Sequence, residues 1–262
     1  MFFCPLFSSS SGNVAYVAAQ KAALLLDAGA SARAIEQALA QIHAHAGKLN
    51  GILITHEHSD HIKGVGTLSR KYDIPVYANE KTLCALEKKC GPFSLKNLRL
   101  FDTGCDFFIE DIGIHPYAIP HDAVDPVGYC LYAAGKKVSV MTDAGYVNKA
   151  MLDAVERSDV LLIEANHDIG MLKTGPYPAV LKQRIMGRRG HLSNDACAKA
   201  LISLYQSGLG QVILGHLSDK NNDPRLALKT VEDTLKKSGL DSDDFHIRVT
   251  GKQPGLHVTV NG

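Results

Sequence analysis

The chain has 262 residues with 45% apolar content, enough to bury one large core, and 28 Lys+Arg against 27 Asp+Glu leave a net charge of +1. This balance excludes a globally basic, histone-like binder and leaves room for a local basic groove. Six cysteines (Cys4, Cys84, Cys90, Cys105, Cys130, Cys197) include no C-x-x-C pair, which argues against a disulfide framework or a thiolate zinc site and for reduced, mostly buried thiols.

The opening MFFCPLFSSSSGN lacks the basic and long apolar regions of a secretory signal, and no run approaches a membrane span. The expectation is a cytoplasmic protein with no membrane association, folded as a single domain over residues 1–262.

In chain order, a strand meander is predicted at 2–7, 14–19 and 23–27, interrupted by a Ser8–Asn13 loop. A helix follows at 31–45, with Ile35, Leu39 and Ile42 on one face, then a strand at 52–54 that delivers the chain to Thr55–His61. Next come a helix at 62–72, a strand at 76–78, a helix at 80–90, and strands near 98–101, 107–109, 114–118, 128–133 and 137–142. The second half repeats the rhythm: helix 148–158, strand 160–163, helices at 178–186 and 194–207, strand 212–214 and helix 225–238. Two mixed sheets with helices outside both is the economical packing.

The chemistry concentrates in Thr55-His56-Glu57-His58-Ser59-Asp60-His61, directly after an apolar strand. Residues two apart in extended backbone point the same way, so His56 and His58 can bite one cation while Glu57 faces elsewhere. A turn into helix then offers Asp60 and His61 to a second cation. Imidazoles and carboxylates without thiolates suit Zn, Fe or Mn. Further ligands must come from elsewhere, and His121, Asp143 and His216 each follow an apolar strand. His43, His45, His115, His246 and His257 read as surface or structural residues.

This ordered set, H-x-H-x-D-H, a later His, the Asp of Thr142-Asp143-Ala144-Gly145 and a late His, resembles the metallo-β-lactamase superfamily. Asp27 of Leu26-Asp27-Ala28-Gly29 matches that family's first, structural motif. The resemblance implies a metallo-β-lactamase αββα sandwich of two mixed sheets with helices outside, and two divalent metal ions. It assigns His56, His58 and His121 to one ion and Asp60, His61 and His216 to the other, with Asp143 bridging and Asp60 also catalytic.

Such a centre can hydrolyse a lactam, a thioester or a phosphodiester. Best-known zinc β-lactamases carry Cys where this chain has Asp143, thioesterases of the glyoxalase II type follow the third-motif His with Thr and Gly, and flavodiiron proteins have Glu at the place of His58. The run from His121 to Val127-Gly128-Tyr129 is closer to the phosphodiesterase branch that includes tRNA 3′-processing endonucleases. Four more segments, Ser8–Asn13, Glu164–Asp168, Gly190–Asn194 and His216–Pro224, resemble the YycJ/WalJ group. That resemblance implies a 5′-to-3′ exonuclease on DNA, particularly duplex with a 5′-phosphate. The alternatives are a small-molecule hydrolase of thioesters, lactones or cyclic phosphodiesters, an RNA nuclease, or a metal-stabilised binding module. The stretch between Asp143 and His216 has no room for the large insertion of related RNA nucleases.

The tRNA-processing relatives also carry a Glu and a His that match Glu164 and His191, so Glu164 is expected to orient His191 as the acid for the leaving oxygen. The alternative is a helix cap at Ser193 or Asn194 with His191 incidental. Candidate substrate contacts are Ser10, Ser11 and Asn13 for a terminal phosphate, with His167, Ser193 and Asn194. Arg184 belongs to the basic run Lys182–Arg189 and could follow a phosphate backbone.

Overall fold

The structure, a computed structural model, describes residues 1–241, 246–250 and 258–260. Two compact units emerge: one holds Met1–Ala118, Ala123–Lys136 and residues 258–260, the other Ile119–Asp122 and Lys137–Thr250.

In the first unit, β1 (Phe2–Ser9), β2 (Gly12–Ala18) and β3 (Ala23–Leu26) form an antiparallel meander, and β4 (Gly51–Leu53), β5 (Val76–Ala78) and β6 (Leu98–Leu100) continue the sheet in parallel. The predicted Ser8–Asn13 loop is instead a tight hairpin: Ser9 pairs with Gly12, leaving only Ser10 and Ser11 at the exposed tip. Pro5 has no N–H for the ladder, and the β1–β2 register slips between Pro5 and Phe7. A second meander comprises β7 (Phe107–Ile109), β8 (Ile112–Ala118) and β9 (Val127–Ala133).

Three helices cover the first sheet: α1 (Ala32–Gln41), α3 (Val65–Tyr72) and α4 (Glu80–Cys90), which bury Ile35, Leu39, Leu68 and Leu86 against Leu25, Ile52 and Val76. Ser31 caps α1 by accepting the Ala34 N–H at 3.3 Å. The helix stops at Gln41 rather than 45, because the Ile42 N–H turns back to Leu39 and His43 takes a left-handed φ of 57°. The single helix expected at 62–72 is two, α2 (Ser59–Ile62) and α3, broken around Gly64. There the Gly64 N–H donates to the Ala28 carbonyl at 2.7 Å, and a Cβ would come within 2.6 Å of the Ala30 carbonyl. The break accompanies the docking of Gly64 on the turn that follows Asp27.

The second unit is built on parallel strands β10 (Lys136–Met141), β11 (Val160–Glu164), β12 (Gln211–Gly215) and β13 (Ile247–Val249). β11 is buried throughout, as a strand covered on both faces should be. Its helices are α5 (Lys149–Val155), α6 (Ile169–Thr174), α7 (Ala179–Met186), α8 (Asn194–Leu204) and α9 (Pro224–Lys237). α8 and α9 pack together and bury Leu201 and Leu204, and Val231 and Leu235, respectively. Asp223 caps α9 and Pro224 occupies its first turn, where a missing N–H costs nothing.

Short α6, β13 and β14 (Val258–Thr259, beside β1) were not anticipated. Each is too brief to show a hydrophobic period. Cys4, Cys130 and Cys197 are buried, whereas Cys84 and Cys105 are exposed and Cys90 is half-buried, so the thiols are free but not mostly buried. His257 lies outside the described residues. Among those described, no helix is long and apolar enough to cross a membrane.

Candidate metal centre

In the first unit β3 ends at Asp27 and β4 runs into Thr55, and these two residues organise the histidine loop. Asp27 Oδ1 accepts the Thr55 N–H at 2.8 Å, while Oδ2 accepts the Thr55 hydroxyl at 2.8 Å and His61 Nδ1–H at 2.7 Å. With its proton committed to Asp27, the Thr55 Oγ1 accepts from His56 Nδ1 at 3.0 Å. Both rings therefore carry their proton on Nδ1 and offer a lone pair at Nε2, the form a metal ligand needs. His56 Nε2 lies 3.1 Å from His58 Nδ1, and His61 Nε2 lies 3.4 Å from Asp60 Oδ2. Bonds of about 2.0–2.1 Å to one cation put adjacent ligand atoms about 2.9–3.4 Å apart, so both pairs have a suitable bite.

Glu57, between His56 and His58, is buried and accepts the Val124 N–H at 3.2 and 3.3 Å. The Glu57 carbonyl accepts Lys89 Nζ at 2.9 Å. Asn13 donates its amide to the Ser9 carbonyl at 3.1 Å and sits 3.3 Å from Asp60 Oδ2 and 3.1 Å from His61 Nε2. Its side chain thus braces the Asp60-His61 turn. Ser10 and Ser11 stay at the hairpin tip, with Ser11 Oγ 2.8 Å from Ser9 Oγ.

The second unit gathers Asp143, Glu164, His191 and His216, whose ligand atoms all lie within 4.8 Å of one another. Asp143 follows β10, Glu164 ends β11 and His216 follows β12. Glu164 is fully buried, and its Oε1 accepts from Nδ1 of both His191 and His216 at 2.8 Å. Its Oε2 accepts the Ala144 and Leu192 N–H groups at 3.0 and 3.1 Å. Burial alone would push the Glu164 carboxyl up, but the two imidazoles bring it down to about 2. Burial likewise presses His191 down, yet the charge and hydrogen bond of Glu164, helped by Asp143, leave its pKa above the usual histidine value.

His216 Nε2 lies 3.4 Å from Asp143 Oδ1, and His121 Nε2 lies 3.7 Å from the same oxygen. His121 Nδ1 donates to the Gly190 carbonyl at 3.0 Å, and burial lowers its pKa, so this ring too is neutral with Nε2 as its lone pair. In both units donor atoms of a kind that suits divalent ions come together, with the His56, His61 and His121 rings held through Nδ1 beside carboxylates.

Other sequence-predicted residues have defined places. Ser193 caps α8 by accepting the Ala196 N–H at 3.1 Å, and this cap coexists with the His191–Glu164 bond. Asn194 is fully buried and exchanges amide hydrogen bonds with Asn222 at 3.0 and 2.9 Å. Arg184 lies on exposed α7 and pairs with Asp122. His115 pairs with Asp106 at 2.6 Å, and His45 accepts the Gly47 N–H at 3.0 Å, both as structural residues.

Sequence reasoning missed Thr55, the relay between Asp27 and His56. It also missed Arg189, whose Nε donates to the His121 carbonyl at 3.0 Å, and Asn166, whose amide donates to the His216 carbonyl at 3.0 Å. Position directly before or near a ligand was the only signal available for these.

A family model described as the beta-lactamase superfamily domain matches residues 23–216, and the chain belongs to that family. Its fold class is the metallo-β-lactamase one, two mixed sheets with helices. Among relatives, it is 44% identical over 257 residues to exodeoxyribonuclease WalJ of Streptococcus pneumoniae, covering 97% of this chain and 96% of that one. It is 38% identical over 239 residues to exodeoxyribonuclease YycJ of Bacillus anthracis, covering 91% and 90%. Among solved structures, the metallo-beta-lactamase fold protein YhfI from Bacillus subtilis superposes with a TM-score of 0.75 at 14% identity, covering 98% of this chain and 99% of that one.

Proposed function

We propose that this chain is a metal-dependent exonuclease that degrades DNA from the 5′ end in the cytoplasm, with preference for duplex bearing a 5′-phosphate. The observation that carries the reading is the Glu164 carboxylate, whose one oxygen holds both His191 and His216 at 2.8 Å. A charge-held imidazole beside a metal ligand is what phosphodiester cleavage needs, because the departing 3′-oxygen must gain a proton. Relatives named exodeoxyribonucleases, at 38% and 44% identity over nine-tenths or more of both chains, support the substrate.

By the family pattern His56, His58 and His121 would hold one ion and Asp60, His61 and His216 the other, with Asp143 as the shared ligand. Divalent ions (Zn, Mn or Fe) held there would supply Lewis-acid chemistry, acidifying a water and offsetting charge on the phosphoryl oxygens. The chain does the rest. Glu164 keeps His191 protonated and oriented through Nδ1, and Nε2–H of His191 delivers the proton to the 3′-oxygen. Ser10 and Ser11 present hydroxyls for the terminal phosphate, and Arg184 with exposed Arg188 supplies positive charge along the backbone.

The test is end-labelled duplex DNA with and without a 5′-phosphate, incubated with purified protein and Mn²⁺ or Zn²⁺. Nucleotides should leave from the 5′ end, faster from the phosphorylated duplex. Intact DNA alongside rapid turnover of a thioester would overturn the function, and equal rates on the two duplexes would remove the terminal-phosphate preference.

A further inference from the structure

Inside the second unit, the turn after Asp143 and the chain leading to His191 are joined at several points. The Gly145 N–H donates to the Pro120 carbonyl at 2.9 Å, Arg189 Nε donates to the His121 carbonyl at 3.0 Å, and the Ala144 and Leu192 N–H groups share one Glu164 oxygen. A Cβ on Gly145 would fall 2.3 Å from the Arg188 carbonyl oxygen, so the two segments meet through their backbones. The Arg188 loop is also closed on itself, by the Gly190 N–H on the Gly187 carbonyl and the His191 N–H on the Ile185 carbonyl, both at 2.9 Å.

At this junction an aromatic side chain stands in solvent. Tyr146, three residues after Asp143, is 36% exposed, whereas His167 is 2% exposed. Exposed Arg188, three residues before His191, places its guanidinium 4.9 Å from the centre of the Tyr146 ring. A cation there occupies one face of the ring and fixes its orientation, while more than a third of the residue stays open. Cations interleaved with an exposed ring are what hold unpaired nucleotides: the cations take phosphate, and the ring takes the flat face of a base. Removing a nucleotide from a duplex end unstacks the base beside the cut bond, and a protein ring replaces the neighbour that base loses.

We propose that Tyr146 is a stacking platform for the base of a nucleotide flanking the bond that is cut, with Arg188 as the positioning residue that holds the ring. This rests on the exonuclease reading above and adds to it a contact with base rather than with phosphate. Every base has a flat face, so the contact favours the presence of a base without selecting a sequence.

The test uses metal-loaded protein and 5′-phosphorylated duplexes in which the first or the second nucleotide of the degraded strand is either intact or abasic. For wild type, removing the base at one of these two positions should lower kcat/KM roughly tenfold, the loss of one base–aromatic stack. Tyr146→Ala should show a similar fall on the intact duplex and lose little more when that base is removed, because ring and base act as one pair. Tyr146→Phe should keep the wild-type dependence on the base. Tyr146→Leu, which has no aromatic face, carries the same test if the alanine variant does not fold. Wild type indifferent to both bases overturns the proposal, as does a Tyr146→Ala loss of equal factor on intact and abasic DNA, the mark of a ring that only holds Arg188 in place. Wild-type protein that leaves DNA intact sinks the exonuclease reading and this contact with it, whereas DNA degraded equally well by wild type and Tyr146→Ala sinks the contact alone.

Discussion

Glu164→Gln isolates what one carboxylate does for the second unit. Oε1 serves two imidazole N–H groups and Oε2 serves two backbone N–H groups, four donors in all. Glutamine has one oxygen and one NH₂. Whichever way the amide turns, two N–H groups face its NH₂. Each unmet buried donor costs about 1–3 kcal/mol, so the substitution should cost about 2–6 kcal/mol, a large part of the roughly 5–15 kcal/mol that stabilises a typical domain. For a chain of this length each kcal/mol moves the midpoint by about 2–4 °C, giving a fall of roughly 4–24 °C. Thermal melts of the metal-loaded variant, with His115→Gln as a half-buried control outside the site, measure it. A Glu164→Gln midpoint within about 2 °C of wild type would refute the four-donor account and the orienting role built on it.

His191→Ala should cost on the order of 10²–10⁴ in kcat on DNA with metals retained. Much of that loss should vanish on a p-nitrophenyl phosphodiester, whose leaving group needs no proton, and equal impairment on both substrates would rule out the acid role. Asp143→Ala should leave a folded protein with reduced metal content and no hydrolysis, read by metal analysis on the purified variant; full occupancy with full activity contradicts the two-ion assignment. Gly29→Ala should lower metal affinity with every candidate ligand left unsubstituted, since the added Cβ would stand 1.7 Å from the Asp60 carbonyl oxygen and must displace that turn. Unchanged metal titration would show that the turn has slack.

Much of the candidate site was legible because its candidate ligands follow strands. The apolar run before Thr55, and those before Asp143 and His216, set each ligand at a strand end, and a period of two could be read from the letters alone. Glu164 and His191 were legible only through resemblance to tRNA-processing relatives. What could not be read was how a side chain divides its contacts. Nothing in Glu164-Ala165-Asn166 tells that one carboxylate oxygen takes two imidazoles, or that Asn13, in a stretch expected to be a phosphate loop, leans its amide on Asp60 and His61. The helix break at Gly64 was equally hidden, because its cause is the Ala28 carbonyl, some 36 positions earlier along the chain.

Backbone conformation ties several residues of the candidate site to their strands more firmly than hydrogen bonding alone. Asp27, Asp143 and His216 have φ of 56°, 59° and 52°, a region that costs most residues with a Cβ of order 1 kcal/mol or more. Asp27-Ala28-Gly29 and Asp143-Ala144-Gly145 repeat one local solution in the two units. A strand ends, an aspartate turns left-handed, a fully buried Ala anchors the turn, and a Gly lets other backbone approach. At Gly29 that backbone is Asp60; at Gly145 it is Arg188, where a Cβ would fall 2.3 Å from the carbonyl oxygen. In the first unit the turn ends in a carboxylate spent on Thr55 and His61, in the second in a carboxylate oxygen 3.4 Å from His216 Nε2. Strain shared by two aspartates and a histidine at strand ends is local cost accepted for side-chain direction. The same turn thus serves to orient a candidate ligand in one unit and to present one in the other.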